Sequence, residues 1–103
     1  RVIFYLQEHV ETNLTLQDLA EYFKYSESHF STLFQKETGT SPIHYFTRLK
    51  IQKACQYIEM TDMKLNEIAM RLGFEEQAYF SRVFTKVMGI SPSAYRKKET
   101  DNR

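Results

Sequence analysis

Residues 80–95 read FSRVFTKVMGISPSAY, and residues 30–45 read FSTLFQKETGTSPIHY. These stretches lie fifty residues apart and share, in order, Phe, Ser, Phe, Lys, Gly, Ser, Pro and Tyr. The similarity continues upstream with a one-residue slip, since Leu16-x-x-Leu19-Ala20-x-x-Phe23 matches Leu65-x-x-Ile68-Ala69-x-x-Leu72. Two copies are too few for a solenoid. They predict two similar subdomains side by side, with a turn between the blocks absorbing the extra residue.

Each copy predicts a helix, a turn and a second helix. The apolar residues of the upstream blocks recur at i, i+3, i+4 and i+7, which is the stripe of an amphipathic helix about two turns long. Thr15 and Asp18 are spaced as a capping box, whereas the second copy has Lys64 at the matching position, which predicts a different cap. Breaks follow at Lys24-Tyr25-Ser26 and at Gly73-Phe74-Glu75, where Ser26 suits a helix start and Gly73 a helix end.

The second helix of each copy carries an inward apolar stripe and ends at a glycine. The stripes are Phe30, Leu33 and Phe34 in the first copy and Phe80, Val83, Phe84 and Val87 in the second. Gly39 and Gly89 suit the left-handed position after a helix, and Ser41-Pro42 and Ser91-Pro92 suit the start of the next one. Two short helices joined by a turn of three or four residues form a helix-turn-helix unit.

Residues 42–60, PIHYFTRLKIQKACQYIEM, predict a long helix between the two units. At 100° per residue, one side carries Tyr45, Phe46 and Leu49, and the roughly opposite side carries Ile51, Ala54, Cys55 and Ile58. Its predicted length is about 28 Å, close to the roughly 34 Å between successive major-groove segments on one face of DNA. We therefore predict an all-α fold, with a first helix-turn-helix subdomain over 1–41, a linker helix over 42–60 and a second subdomain over 61–103.

Composition is consistent with a small helical domain. The chain has 103 residues, three Gly, two Pro, one cysteine and no long apolar run. This composition argues against a β-rich fold, an internal disulfide and a membrane span. A net charge of +1 supports nucleic-acid binding only weakly, so that function requires the basic side chains to gather on one face. Because the first residue is Arg rather than Met, we expect a fragment of a longer protein.

The second copy carries a longer motif. It contains Gly73-Phe74-Glu75-Glu76-Gln77-Ala78-Tyr79-Phe80-Ser81-Arg82-Val83-Phe84, then Lys86, then Gly89-Ile90-Ser91-Pro92-Ser93-Ala94-Tyr95-Arg96. This order resembles the DNA-binding domain of the AraC/XylS family of bacterial transcription regulators, with Thr85 in place of a common Lys. The first copy matches the family's looser pattern. The resemblance implies seven helices, two recognition helices in adjacent major grooves, a long asymmetric site and, in most members, a separate sensory or dimerisation domain.

Outward positions on the second helix of each unit, here called the reader, are the candidates for base contacts. Residues near the N-terminus of such a helix lie against base edges. The outward positions and the resemblance together predict base reading by Ser28, His29, Ser31, Thr32, Gln77, Ala78, Ser81 and Arg82. Arg82 suits guanine and Gln77 suits adenine. The short side chains of the first reader predict weaker direct hydrogen bonding there, and for His29 a position in solvent beside the DNA stays open.

Phosphate contacts are predicted at the edges of the readers. The candidates are the side chains of Lys36, Arg48, Lys86, Arg96 and Lys97 and the backbone N–H groups of Thr40, Ser41, Ile90 and Ser91, just ahead of helix starts. An alternative for Arg48 and Arg96 is an ion pair with acids such as Glu37 or Glu99.

Other chemistry finds no support in the sequence. His9, His29, His44 and Cys55 lack the spacing of metal ligands, and no nucleophile stands beside an evident base. We expect no cofactor, no metal and no enzyme activity. The predicted function is sequence-specific binding of double-stranded DNA to regulate transcription, in the bacterial cytoplasm at the nucleoid. RNA polymerase is a candidate partner, and an N-terminal effector or dimerisation domain is expected outside this chain.

Two alternatives stay open. The chain could be a helical protein-interaction module, or a DNA-binding appendage of an enzyme. Gathering of basic side chains around Arg82, Lys86 and Lys36 would favour DNA binding over protein interaction.

Overall fold

The computed structural model describes residues 1–102, which fold into seven helices. In chain order they are α1 (Val2–Glu8), α2 (Leu16–Phe23), α3 (Glu27–Thr38), α4 (Pro42–Met60), α5 (Leu65–Arg71), α6 (Gln77–Met88) and α7 (Pro92–Asp101). The predicted all-α fold is confirmed, and the linker helix predicted over 42–60 is α4. The chain divides into two compact units, the first over residues 1–49 and the second from Lys50 onward. Arg103, the last residue of the predicted second subdomain, lies outside the described residues.

The first unit has a core of aromatic and aliphatic side chains from α1, α2, α3 and the start of α4. Its buried members are Leu6, Leu19, Ala20, Phe30, Phe34 and Phe46. Tyr45 and Leu49 of α4 pack against this core, as predicted for that side of the linker helix. On α3, Phe30 and Phe34 lie on the buried side, so the opposite side of this reader faces solvent.

The second unit has its own core, built from the remainder of α4 together with α5 and α6. Its buried members are Ile51, Ala54, Cys55, Ile58, Ile68, Ala69, Leu72, Phe74, Phe80 and Phe84. The predicted change of apolar side along α4 is therefore confirmed, because Phe46 belongs to the first core and Ile51 to the second. Val83 and Val87 pack against this core from α6.

Most predicted helix ends are confirmed. Thr15 Oγ1 accepts the N–H of Asp18 at 3.1 Å, and the Asp18 carboxylate accepts the N–H of Thr15 at 2.9 Å. In the second unit only one of these two hydrogen bonds can form, because the Lys64 side chain has no acceptor. The Glu67 carboxylate accepts the N–H of Lys64 at 3.0 Å. Ser26, Ser41 and Ser91 cap α3, α4 and α7, and Gly39 and Gly89 end the two readers in left-handed conformation.

The two helix-turn-helix turns differ in length. The first turn is Lys24-Tyr25-Ser26, as predicted, whereas the second runs from Leu72 to Glu76 and is longer than the predicted Gly73-Phe74-Glu75. α5 ends one residue early because Leu72 is already its C-cap, and α6 starts one residue late because Glu76 has an extended backbone. The turn thus absorbs the extra residue of the second copy, in agreement with the one-residue slip.

The first turn places Lys24, a residue with a side chain, in the left-handed conformation. Its φ is 64°, and the corresponding position of the second turn is Gly73, with φ 86°. Both turns close with the same pair of backbone hydrogen bonds, in which Tyr25 donates to Ala20 in the first unit and Phe74 donates to Ala69 in the second. A left-handed conformation costs a residue other than glycine roughly 1–2 kcal/mol.

Lys24→Gly is therefore expected to stabilise the first unit. Relief of the left-handed conformation outweighs the added flexibility of the unfolded chain, and we expect a gain of about 0.5–1 kcal/mol in the free energy of unfolding. Urea denaturation of both chains measures it. Lys24→Ala is the matched control, since it removes the same side chain and keeps the cost. Equal stability of the Gly and Ala variants would contradict the prediction.

Within the described residues, no helix combines the length and apolarity that crossing a bilayer requires.

Candidate nucleic-acid interface

The first reader, α3, presents its predicted base-reading residues on the side away from the core. Ser28, His29 and Thr32 are exposed, and Ser31 is partly buried. Phe30 and Phe34 hold the inner side, so the stripe predicted from the sequence fixes which residues face outward. That these four residues contact bases stays a prediction.

The second reader, α6, has the same arrangement, and its inner side is more completely buried. Gln77, Ala78 and Arg82 are exposed and Ser81 is partly buried, while Phe80 and Phe84 are completely buried. All the predicted base-reading residues of this unit thus lie on one helix, within its first two turns. Their contact with DNA stays a prediction as well.

The exposed Arg82 side chain lies against an aromatic ring of its own helix. Its guanidinium carbon lies 5.7 Å from the centre of the Tyr79 ring, within the range of a cation–π contact. The Tyr79 ring in turn lies 6.0 Å from Phe74, which contacts Phe80 in the core at 5.3 Å between ring centroids. The guanidinium therefore lies at the end of a series of ring contacts that begins in the core of the unit, and we expect this contact to restrict its rotamers before DNA binds.

Tyr79 is not among the predicted site residues. Its side chain is 52% exposed, although it directly precedes the buried Phe80. The signal was available in the spacing, because residues three apart on a helix are neighbours and an aromatic ring three residues before an Arg can support it.

The corresponding positions of the first reader carry different groups. His29 and Thr32 stand fifty residues before Tyr79 and Arg82. The His29 ring lies 5.3 Å from the Tyr25 ring, and its backbone N–H donates to Ser26 Oγ at 3.1 Å. Thr32 has no charge to bring to DNA. The first reader therefore has an aromatic pair at this point but no cation above it.

The predicted phosphate contacts fall into two groups. Lys36, Arg48, Lys86 and Lys97 have exposed side chains, and the two lysines on the readers lie in the last turn of α3 and α6. The backbone candidates Thr40, Ser41, Ile90 and Ser91 are partly buried and follow the glycines that end the readers. The N–H of Thr40 already donates to Thr38 Oγ1, over 3.3 Å. Phosphate contacts at all of these positions stay predictions.

Arg96 stands apart from the other candidates because its guanidinium is used within the second unit. It donates to the carbonyl oxygen of Met63 at 2.5 Å and to that of Thr61 at 3.4 Å. These bonds fix the loop between α4 and α5 to α7. They occupy two of the donors of the guanidinium, so Arg96 is the candidate whose structural role is visible here.

A second polar contact joins α7 to the end of α4. The Tyr95 hydroxyl donates a short hydrogen bond to the Glu59 carboxylate. This bond, together with burial, raises the pKa of Tyr95 well above its ordinary value. Cys55 is buried beside them, and burial raises the pKa of its thiol. A protonated, buried thiol has little nucleophilic or metal-binding character, as expected for a small core residue.

Residues 1–102 contain no group of three or more His, Cys, Asp or Glu side chains that could hold a metal ion.

Comparison with known proteins places this arrangement in a family. Residues 19–98 match the family described as helix-turn-helix domain. The MmsAB operon regulatory protein of Pseudomonas aeruginosa is 40% identical over 94 residues, which cover 91% of this chain and 31% of that protein. The raffinose operon transcriptional regulatory protein RafR of Pediococcus pentosaceus is 36% identical over 95 residues, covering 92% of this chain and 34% of RafR. The chain thus spans about a third of the length of these relatives.

Two solved structures with the same fold are domains of regulatory proteins. The C-terminal domain of AraT, a response regulator from Geobacillus stearothermophilus, superimposes with a TM-score of 0.91 at 37% identity, over 95% of this chain and 82% of that one. The DNA-binding domain of AdpA, a global transcriptional factor solved with a target DNA, gives a TM-score of 0.94 at 26% identity, over 99% and 92%. Neither the protein-interaction module nor the enzyme appendage is favoured by these comparisons. The chain belongs to the helix-turn-helix domain family of the AraC-type transcriptional regulators.

Proposed function

We propose that this domain binds double-stranded DNA at a specific sequence and thereby regulates transcription, as one part of a longer regulator. The observation that carries the proposal is the second reader, where Arg82 rests on the Tyr79 ring beside the exposed Gln77. An Arg so restricted loses less side-chain entropy when it binds, because its rotamers are limited beforehand. The AdpA domain, solved with a target DNA, supports the same use of the fold.

The second reader supplies the more direct base readout. Arg82 offers two parallel donors to the O6 and N7 atoms of guanine, and Gln77 offers a donor and an acceptor to adenine. Both side chains project from the first half of α6, the part of a recognition helix that lies deepest in the major groove. Ala78 adds a methyl group of the kind that contacts the methyl of thymine.

The first reader supplies a softer readout. Ser28 and Thr32 have short side chains that reach bases through single hydrogen bonds, water or methyl contacts. His29 is exposed on the same helix, with its ring near that of Tyr25. Preference for DNA shape contributes more here than in the second unit.

Two readers on one chain imply a site with two blocks. α4 runs from Pro42 to Met60 and, at 1.5 Å per residue, measures about 28 Å, close to the rise of one turn of DNA. We propose that α3 and α6 enter successive segments of the major groove. Because the readers differ in sequence, the two blocks differ, and the site lacks two-fold symmetry.

Affinity for the DNA backbone depends on a few side chains. Lys36 and Lys86 lie at the C-terminal ends of the readers, whereas Glu27, Glu75 and Glu76 lie at their starts. Carboxylates near the N-terminus of each reader repel phosphate there, so the lysines favour one polarity of the helix in the groove. With a net charge of only +1, sequence-independent attraction is modest and base contacts matter more.

We propose that the longer regulator acts in the bacterial cytoplasm at the nucleoid, with RNA polymerase as a further partner and an effector or dimerisation domain outside this chain. The relatives named above are about three times as long as the matched segment, which supports such a domain. The proposed role is binding, without a catalytic step or a cofactor.

Selection of bound sequences from a random duplex pool tests the proposal. The 103-residue chain should enrich a site with two unlike blocks whose centres are about 10–10.5 base pairs apart. The block assigned to the second reader should be the more sharply defined, with a guanine opposite Arg82.

The control is a selection with a chain carrying Gln77→Ala and Arg82→Ala. It should lose the sharper block and retain a weak preference at the other. Failure of the unchanged chain to enrich any duplex sequence at low salt would refute sequence-specific DNA binding.

A further inference from the structure

The second unit contains a buried lysine that none of the DNA contacts above uses. Lys50 lies at the point of α4 where the second unit begins, and only 7% of its surface is exposed. Lysines are almost never buried to this degree unless their charge has a partner. Its position also breaks the apolar side that α4 turns toward the second core, since Lys50 lies one helical turn before the buried Ala54.

The Lys50 ammonium binds the C-terminal end of α5, the first helix of the second helix-turn-helix unit. Its Nζ donates to the carbonyl oxygen of Leu72 at 2.6 Å. Leu72 is completely buried and is the C-cap of α5. The last carbonyl groups of a helix have no partner within it and carry the negative end of the helix dipole, so a buried cation there satisfies an acceptor and a dipole together.

This contact reaches the start of the second reader through a short path. Gly73 and Phe74 follow Leu72, and their N–H groups close the turn on Met70 and Ala69 at 3.0 and 2.9 Å. Phe74 is buried and lies 5.3 Å from Phe80 of α6, between ring centroids. Both of these bonds lie within residues 69–74. Lys50 adds a hydrogen bond from α4, the helix that also supplies Ile51, Ala54, Cys55 and Ile58 to the core of this unit.

Phe74 also lies under the ring that supports the predicted guanine-reading side chain. Its ring is 6.0 Å from Tyr79, and the Tyr79 ring is 5.7 Å from the Arg82 guanidinium. A shift of the turn would therefore move the support of Arg82 as well as the first residues of α6.

We propose that Lys50 is a positioning residue for DNA reading, which holds the turn before α6 in register with α4 and so sets the placement of Arg82. This inference rests on the proposed function, because its main consequence is a change in sequence preference. Lys50 acts from inside the protein. Its removal should impair the discrimination between DNA sequences more than the general affinity for DNA.

The test compares Lys50→Met with Lys53→Met in the whole 103-residue chain. Both remove one positive charge from α4, but the Lys53 ammonium lies near the Tyr57 ring and is partly exposed. Affinities are measured for the duplex selected by the unchanged chain and for a scrambled duplex, well below the melting temperature. We expect Lys50→Met to weaken binding to the selected duplex about tenfold relative to Lys53→Met, at the low end of the contribution of a hydrogen bond to a charged group. Binding to the scrambled duplex should be the same for the two variants.

Rescue and hydrogen exchange separate positioning from loss of fold. Lys50→Arg keeps a cationic donor and should restore most of the lost preference. The amides of Gly73, Phe74 and the first turn of α6 should exchange faster in Lys50→Met, with the end of α6 unchanged. If Lys50→Met does not fold, Lys50→Gln, which keeps a neutral N–H donor, takes its place in the same comparison.

Two results would overturn the inference: equal preference for the selected duplex in the Lys50 and Lys53 variants, or no recovery with Lys50→Arg. Failure of the unchanged chain to select any DNA would instead count against the proposed function. The exchange measurement would then still decide whether Lys50 holds the turn.

Discussion

Phe84→Ala is expected to lower the free energy of unfolding by about 3–5 kcal/mol. The Phe84 side chain is completely buried, and its ring lies 5.8 Å from that of Phe80 and 5.7 Å from that of Tyr95. Truncation leaves a cavity between helices held by aromatic contacts on two sides, which cannot collapse without moving α6 or α7. Small domains have total stabilities of only about 5–15 kcal/mol, so this loss removes much of the margin.

Chemical denaturation followed by circular dichroism measures the effect. Phe4→Ala is the matched control, because it removes the same side chain from a position that is 64% exposed. It should change stability by about 0.5 kcal/mol or less. If Phe84→Ala were as stable as Phe4→Ala, the assignment of the inward face of α6 would be wrong, and with it the identity of the outward reading face.

Arg82→Ala is expected to reduce the preference for the selected duplex over a scrambled one by about 1–3 kcal/mol, or roughly five- to 150-fold. The reason is the loss of a two-donor contact to guanine from a guanidinium that the Tyr79 ring already holds. Binding to the scrambled duplex should fall much less, because that binding depends on charge and has no base to recognise. Competition binding with the two duplexes at one salt concentration measures the ratio.

Two control variants divide this effect into its parts. Arg82→Lys keeps the charge and gives up the planar pair of donors, so it should retain affinity for the scrambled duplex and lose most of the preference. Tyr79→Leu keeps Arg82 and removes its support, and it should give an intermediate preference. Equal losses on both duplexes with Arg82→Ala would assign Arg82 to the phosphates and leave base reading to other residues.

Much of the fold could be predicted because its signals are local. The Thr15–Asp18 box, the glycines after the readers and the Ser-Pro pairs each act over a few residues, and the structure places every one of them at a helix end. The change of apolar side along α4 was also readable, because burial of one face repeats with the period of the helix. The outward faces of the readers follow from the same periodicity.

The features that could not be predicted depend on distant partners or on backbone angles. Lys50 bonds to a carbonyl 22 residues away, and Arg96 to one 33 residues away. Contacts over such separations leave no local pattern in the sequence. From the sequence, both residues are therefore expected to be charged side chains on the surface. Lys24 adopts the left-handed conformation, which its residue type disfavours. The φ angle and the closing hydrogen bonds of the turn show this only in the structure.

α4 also decides how the chain can be divided. The second core takes Ile51, Ala54 and Ile58 from this helix, and the contact of Lys50 with Leu72 begins at the same place. A fragment cut at Thr61, after the linker helix, would leave Ile68, Phe80 and Phe84 without the surface that covers them. We therefore expect the smallest piece of the second unit able to fold alone to start at or before Lys50, because the helix that joins the two units supplies four of the ten buried residues of this core.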